Sequence, residues 1–283
     1  MQFMGYRRED GRVGVRNYVL ILPGCACASE TCRLVASEAR GTKNEIMNVG
    51  CSDVQANTDM NLRVLTGFAL NPNVFGVIVI GLGCETVGHR ELAAKIRAET
   101  SKPVVSFGIQ EIGGTVATTA AAVKAAREMV AQASEQQREP CDASDLFVAI
   151  ECGGSDATSG IASNPAVGNM SDRIVDLGGT TMMSETIEFV GAEHILAKRG
   201  ATPEIHDQII RICEDYEKHL AGVGQDCRTG QPTTGNKAGG LSTIEEKSLG
   251  CIHKGGTRPV VEVLQEAARP TKKGAQIGRA SCR

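Results

Sequence analysis

The segment IECGGSDATSG, residues 150–160, places thiol, carboxylate and hydroxyl groups on a glycine-rich bend after a short apolar run. Its side chains with metal-binding or proton-transfer chemistry include those of Glu151, Cys152, Ser155 and Asp156. A second segment, MMSETIE at 182–188, adds Glu185 and Glu188. Carboxylates that converge near a thiol favour a divalent cation or a cationic partner, because a buried carboxylate without one is costly. Exposed loop carboxylates are the alternative.

Glu185 and Glu188 lie three residues apart. If a helix begins at this point, both carboxylates share its first turn and one face. Such a pair either chelates a metal or complements the helix dipole, and the spacing favours neither.

A third segment, GLGCE at 81–85, also follows an apolar run. Ligands of open α/β sheets bind outside the carboxyl ends of the strands, so the three segments predict a site at such ends. Thr86 stands where a dinucleotide loop needs its third glycine, so NAD binding is not supported. A further alternative is an iron–sulfur cluster on Cys25, Cys27 and Cys32, although their spacing matches neither ferredoxin pattern.

The segment TTGNKAGGLSTIEEKSLG, residues 233–250, joins a flexible stretch to a capped helix. A loop that ends at a helix N-terminus suits an anionic group. Lys237 and Lys247 are therefore candidates to hold a carboxylate or to move a proton, with Asn236 beside them. Solvated surface amines are the alternative for both lysines.

The elements that position these groups follow from apolar periodicity. Short β-branched runs predict strands at 17–23, 75–81, 103–108, 146–150 and 179–184. Helical patterns cover 30–40, 57–69, 89–100, 115–137, 167–177, 192–199, 203–220, 243–249 and 260–267. Strands that alternate with helices predict two parallel-sheet α/β domains with crossover helices, and the polar stretch SEQQREPCDASD marks the boundary between them. The glycine-rich stretch 222–241 is weakly periodic and is expected to be functional or mobile.

The composition excludes several classes of protein. The 283 residues are 41% hydrophobic with a net charge of -3, and no basic stripe offers a footprint for nucleic acid. No apolar run is long enough for a membrane span or a signal peptide, so we expect a cytoplasmic protein without a membrane partner. The 11 cysteines are odd in number, which favours reduced thiols over a disulfide framework.

Five ordered motifs resemble one family. They are GYRREDGRVGVRNYVLILP, VIGLGCE, ECGGSDATSGIASNPAVG, SETIEFVGAEHILAKR and GNKAGGLSTIEEKSLGCIHKGG. Together, from about Gly5 to Gly274, they resemble the altronate and galactarate dehydratase family, which includes the large subunit of sulfolactate sulfo-lyase.

The resemblance implies an iron-dependent lyase that removes water, or sulfite, from a 2-hydroxy acid. It implies a dimerisation-type second domain at 1–140, and the first part of a Rossmann-like catalytic domain, a truncated variant, at 141–274. Residues 275–283 are expected to be a non-native tail because QIGRASCR resembles a translated sequencing adapter. A homodimer and a separate small β-clip (SAF-type) subunit are the expected partners. Met47 replaces a histidine often found in the family, so that role is not carried over.

The predicted site follows from these segments and the resemblance. The predicted ligands of Fe(II), or of another divalent metal, are Cys152, Glu185 and Glu188. The predicted proton carriers are Lys247 and Asp156, and the predicted substrate-binding residues are Ser155, Asn236 and Lys237. The substrate is a small hydroxy acid, either a sugar acid such as altronate or galactarate or, alternatively, sulfolactate. A further alternative is a non-catalytic module that binds sugar acids or mediates dimerisation.

Overall fold

The computed structural model describes residues 1–278, in which the chain forms two compact units. The N-terminal unit is Gln2–Cys141, and the C-terminal unit comprises Met1 and the chain from Asp142 onward. Each unit contains its own four-stranded parallel sheet flanked by helices. The predicted fold class, two parallel-sheet α/β domains, is confirmed.

The N-terminal unit contains two sheets. Its strands are β1 (Gln2–Arg7), β2 (Val13–Gly14), β3 (Tyr18–Pro23), β4 (Thr42–Asn44), β5 (Val74–Gly81), β6 (Val104–Gly108) and β7 (Glu139–Asp142). Its helices are α1 (Ser29–Glu38), α2 (Gln55–Leu70), α3 (His89–Glu99), α4 (Ile109–Ile112) and α5 (Thr115–Glu135). The parallel sheet has the order β4-β3-β5-β6, and a small sheet has the order β2-β1-β7.

The parallel sheet of the N-terminal unit is covered on both faces, which explains why its strands are nearly continuous apolar runs. Ile21 and Ile78 point to one face and pack with residues of α1 and α5. Leu22 and Val77 point to the other face and pack with residues of α2 and α3. The alternation of neighbouring residues between two apolar clusters is the period of a strand buried on both sides.

The C-terminal unit contains the second parallel sheet. Its strands are β8 (Phe147–Ile150), β9 (Thr180–Met183), β10 (Val260–Leu264) and β11 (Gly274–Gly278), in the order β10-β11-β9-β8. Its helices are α6 (Ser163–Asp176), α7 (Glu193–Leu196), α8 (Pro203–Gly222), α9 (Cys227–Gly230), α10 (Thr234–Ala238) and α11 (Ile244–Cys251). In residues 1–278, no helix is long and apolar enough to cross a lipid bilayer.

The core of the C-terminal unit joins its sheet to α8. Met183 of β9 and Ile277 of β11 pack in one cluster with Ile209 and Ile212 of α8. The start of α8 is fixed by Thr202, whose hydroxyl accepts from the backbone N–H of Ile205, as an N-cap residue does. The sheet and this helix provide the frame for the loops that follow β8 and β9.

The structure differs from the predicted elements in three places. The predicted helix at 260–267 is wrong, because residues 260–264 form β10 and pair with β11. Residues 275–278, assigned to the predicted tail, form most of β11 in the sheet interior, and Ile277 is fully buried there. The rest of that predicted tail, residues 279–283 with Cys282, lies outside the described residues. The stretch 222–241 contains α9 and α10.

Candidate metal centre

The register of two strands brings the central residues of the site together. β8 and β9 are parallel, and Ile150 pairs with Met183, so the chain leaves both strands at the same edge of the sheet. Cys152 lies two residues after Ile150, and Glu185 lies two residues after Met183. The backbone N–H of Cys152 donates to Oε2 of Glu185 at 3.1 Å. The two segments that were predicted from the sequence to contribute to one site therefore lie side by side.

A tight turn, and not a helix, follows Glu185. Glu185 has a left-handed backbone with φ of 68°, and residues 186–188 form a single 3₁₀ turn. The backbone N–H of Glu188 donates to the oxygen of Glu185 at 2.8 Å and closes this turn. The expectation that the two carboxylates share the first turn of an α-helix is therefore wrong. The turn instead buries Glu188, of which 2% is exposed.

The three predicted metal ligands form one group. Ligand atoms of Cys152, Glu185 and Glu188 all lie within 4.8 Å of one another. A thiolate with two carboxylates suits a borderline divalent cation such as Fe(II), Co(II) or Zn(II) better than Mg²⁺, which prefers oxygen ligands alone. The donor set thus fits the predicted metal, and the ligand roles stay a prediction.

Two lysines face the buried carboxylate of Glu188. Lys254 is itself buried, and its Nζ donates to Oε2 of Glu188. Nζ of Lys247 lies 3.9 Å from Oε1 of Glu188 and donates to Oε1 of Gln231 at 2.8 Å. Burial alone would lower the pKa of Lys254, but the charge of Glu188 and its hydrogen bond outweigh that effect and raise it.

Ser155 lies between two thiols. Its Oγ is 3.4 Å from Sγ of Cys152 and 4.0 Å from Sγ of Cys251. Burial raises the pKa of Cys152, and it raises the pKa of Cys251 to about 12. Without a cation both thiols are therefore held in the protonated form.

Asn236 connects α10 to the loop of Ser155. Its Nδ2 donates to the backbone oxygen of Ser155 at 2.8 Å. Its backbone N–H and side-chain Oδ1 also form a capping box with Thr233 at the start of α10. Lys237, the next residue, is exposed, and within residues 1–278 its ammonium joins none of the hydrogen bonds of the site.

Asp156 stabilises the same loop through hydrogen bonds. Its Oδ1 accepts from the backbone N–H and the hydroxyl of Thr158 and of Ser159, over distances of 2.7 to 3.0 Å. The hydrogen bonds from Thr158 and then Ser159 hold the pKa of Asp156 below its usual value. An oxygen so engaged is a weak base, which favours Lys247 over Asp156 as the proton carrier.

An open cleft lies beside Cys251 and Lys247. Ser155, Asn164, Lys247 and His253 are among its lining residues. The cleft provides hydroxyl, amide, ammonium and imidazole groups. These groups are suited to binding a small polyhydroxylated or acidic molecule.

The remaining predicted thiols and carboxylate lie in the N-terminal unit. Glu85 accepts from the backbone N–H groups of Leu82, Gly83 and His89 at 2.5 to 3.2 Å. Burial acts to raise the pKa of Glu85, but these hydrogen bonds outweigh it and lower the pKa. Glu85 therefore organises its own loop and the start of α3. It does not belong to the group formed by Cys152, Glu185 and Glu188.

The iron–sulfur alternative gains no support from the structure. Cys25 and Cys32 are buried, and Cys27 is exposed. Within the described chain, these residues do not bring three ligand atoms within 4.8 Å of one another. Met47 lines a small cavity and packs against an apolar cluster of the same unit, as expected of a methionine side chain.

The sequence analysis missed three residues of the site, namely Gln231, Cys251 and Lys254. Cys251 and Lys254 belong to the motif GCIHKGG, which carries the family resemblance. The place of Lys254 in this motif is the one signal that the sequence offers for it, because the burial of Lys254 is known only from the structure. Gln231 has no comparable signal, because it stands in a polar stretch.

Comparison with known proteins gives matches along nearly the whole chain. Residues 5–134 match the family described as D-galactarate dehydratase/Altronate hydrolase, second domain. Residues 143–282 match the family described as D-galactarate/Altronate dehydratase, C-terminal.

Individual relatives agree with these families. The chain is 42% identical over 277 residues to the (2R)-sulfolactate sulfo-lyase subunit beta of Chromohalobacter salexigens, covering 96% of this chain and 69% of that protein. It is 34% identical over 273 residues to the altronate dehydratase of Bacillus subtilis, covering 93% of this chain and 54% of that protein. It is 34% identical over 291 residues to the galactarate dehydratase (L-threo-forming) of Escherichia coli, covering 96% of this chain and 55% of that protein. The chain thus spans about half the length of the dehydratases it matches. On these matches and on the five motifs, the chain belongs to the D-galactarate/altronate dehydratase family.

Proposed function

We propose that this protein is a metal-dependent lyase that cleaves a 2-hydroxy acid by β-elimination, with a sugar acid such as altronate or galactarate as substrate. The observation that carries the proposal is the convergence of Cys152, Glu185 and Glu188 within 4.8 Å. A cleft lined by Ser155 and Lys247 lies next to this group, because Oγ of Ser155 contacts Sγ of Cys152 and Nζ of Lys247 lies 3.9 Å from Oε1 of Glu188. The names of the dehydratase relatives support the reaction class.

Cys152, Glu185 and Glu188 would hold the cation, Fe(II) in the first instance. A divalent cation bound there would supply Lewis-acid polarisation of the substrate carboxylate and 2-hydroxyl. Without such stabilisation, the proton next to a carboxylate is too weakly acidic to be removed at a useful rate.

The chain's own groups would bind the substrate and carry the proton. Ser155 and Asn236 shape the loop beside the thiol, and Lys237 is the exposed predicted contact on α10. Lys247 lines the cleft and lies near Glu188, so it is placed to carry a proton. The carbon next to the carboxylate loses its proton, and the β substituent leaves as water. The resulting enol becomes a 2-keto-3-deoxy acid.

A second candidate function is cleavage of (2R)-sulfolactate, with sulfite as the leaving group. The 42% identity to a sulfo-lyase subunit beta, against 34% to two dehydratases, favours it. That relative is named a subunit beta, which supports the predicted separate small subunit. The site supports both reactions, because both substrates present a carboxylate, a 2-hydroxyl and a β leaving group. The predicted homodimer remains part of this proposal.

The test is an anaerobic assay of the purified protein with Fe(II). Altronate, galactarate and (2R)-sulfolactate are supplied separately, and 2-keto acid and sulfite are measured. We expect product from one of them, and loss of product and of bound iron in Glu185→Gln. Glu214→Gln is the matched control, because Glu214 is an exposed carboxylate of α8. Turnover in Glu185→Gln equal to that of the native protein would contradict the proposal, and so would the absence of product from all three acids when the separate small subunit is also supplied.

A further inference from the structure

Lys254 is a second buried charge beside the proposed metal ligands. It is 3% exposed, and its carboxylate partner Glu188 is 2% exposed. A buried ammonium or carboxylate is costly alone, so each of the two groups depends on the other. The proposed reaction uses Glu188 as a metal ligand but gives Lys254 no role, so it does not explain why an ammonium is buried at this position.

The backbone that directly follows Lys254 is anchored by several contacts. Nη2 of Arg199 donates to the oxygen of Gly255 at 2.8 Å. Gly256 has φ of 73°, and a Cβ there would lie 2.2 Å from Oδ1 of Asp172. Asp172 in turn accepts from the backbone N–H of Thr257 at 2.7 Å. Packing against α6 therefore fixes where the Lys254 side chain begins.

The two lysines meet different oxygens of Glu188. Lys254 occupies Oε2, whereas Oε1 has Lys247 at 3.9 Å, beyond hydrogen-bond distance. A carboxylate held through one oxygen has the other oxygen available to a cation in a fixed direction. Loss of a group that hydrogen-bonds to a metal ligand in this way typically weakens metal affinity by about 10- to 100-fold.

We infer that Lys254 is a positioning residue that holds Glu188 through Oε2 and directs Oε1 towards the cation. This inference rests on the proposed metal site and assigns a role to a residue outside the ligand group. Its ammonium also offsets one of the negative charges of Glu185 and Glu188, so that both carboxylates remain close together before a cation arrives. Lys254 does not itself touch the substrate.

The test compares Co(II) binding by the 283-residue protein, by Lys254→Met and by Lys254→Arg, using calorimetry with Co(II) alone. We expect Lys254→Met to weaken Co(II) binding about 10- to 100-fold. We expect Lys254→Arg, which keeps the charge, to restore part of that loss. Lys218→Met is the matched control, because Lys218 is an exposed lysine of α8. Circular dichroism checks that each variant is folded.

Equal Co(II) binding by folded Lys254→Met would overturn the inference, and tighter binding would in addition show that the ammonium competes with the cation. If Lys254→Met does not fold, Lys254→Gln takes its place. Its amide keeps a donor but removes the charge, so we expect a smaller loss of Co(II) affinity, and an affinity at or above the native value would again overturn the inference. No binding by the native protein would remove the proposed metal site together with this inference. Native binding with an unchanged Lys254→Met would remove the inference alone.

Discussion

Nδ2 of Asn236 donates to the backbone oxygen of Ser155 across 2.8 Å, although 81 positions separate the two residues in the chain. This hydrogen bond ties the loop after β8 to α10. The side chain that makes it also caps α10 through Thr233. The loop beside the thiols is therefore as ordered as the short helix that holds it.

Asn236→Ala removes both functions of this side chain. We expect it to lower the free energy of unfolding by about 1–2 kcal/mol, since a cap and a buried hydrogen bond are lost. Asn236→Asp is the matched variant, because its carboxylate still accepts from Thr233 but no longer donates to Ser155. Urea unfolding measures the cost, and hydrogen exchange at 152–160 measures the order of the loop. Unchanged exchange in both variants would show that this bond does not order the loop.

The left-handed backbone of Glu185 makes a prediction about stability. Glycine adopts φ of 68° freely, whereas a residue with a Cβ is strained there. Glu185→Gly and Glu185→Ala both remove the carboxylate, so their difference isolates the backbone. We expect the glycine variant to be more stable by about 1 kcal/mol in urea unfolding without added metal. If Glu185→Ala is as stable as Glu185→Gly, the backbone of Glu185 is not strained.

Asp172 gives a prediction about pH. Burial acts to raise its pKa, but hydrogen bonds from Thr257 and Arg258 outweigh burial and lower the pKa. A carboxyl with a lowered folded pKa stabilises the protein above its unfolded pKa, and this contribution is lost as the pH falls through the folded value. Native protein should therefore exceed Asp172→Asn in stability at pH 7, and the difference should shrink below about pH 4.

The measurement for Asp172 is urea unfolding at a series of pH values from neutral to acid. Asp215→Asn is the control, because Asp215 is exposed on α8. A stability difference that stays constant over the whole series would rule out the carboxylate's charge as its cause.

Lys247→Met tests the proposed proton carrier. We expect kcat on the accepted acid to fall at least about 100-fold, as for other general acid–base groups, with a smaller change in KM. Co(II) affinity should change less than in Lys254→Met, because Lys247 makes no hydrogen bond to Glu188. Lys218→Met is again the control. A kcat of Lys247→Met equal to that of the native protein would show that another group transfers the proton.

Apolar runs were enough to predict the buried strands, because a strand covered on both faces is nearly continuous in Val, Ile and Leu, as β5 is. The helix predicted over VVEVLQEA was wrong because its first five residues contain three Val, which favour a strand. These residues form β10 and pair with β11. β11 itself was missed because GAQIG is short and weakly apolar, and only its neighbours on both sides define it as a strand.

The site was predictable to the extent that it depends on strand ends. Cys152 and Glu185 each closely follow the end of a predicted strand, and the parallel pairing of β8 with β9 brings them together. The contact of Lys254 with Glu188 could not be predicted, because it depends on how a turn 66 residues away packs against α6. The sharp turn at Glu185 was equally hidden, since no glycine marks it.

The position of β11 between β9 and β10 sets an order of assembly during synthesis. β8 pairs directly with β9, so this pair, and with it the edge that carries Cys152 and Glu185, is complete on the ribosome once Glu188 has emerged. β10 is made next but has no partner in the sheet until β11 follows. At about 5–20 residues per second, the ribosome takes roughly a second to supply that strand. Until then the edge of β9 is open, and this interval is when a nascent chain is most exposed to wrong pairing.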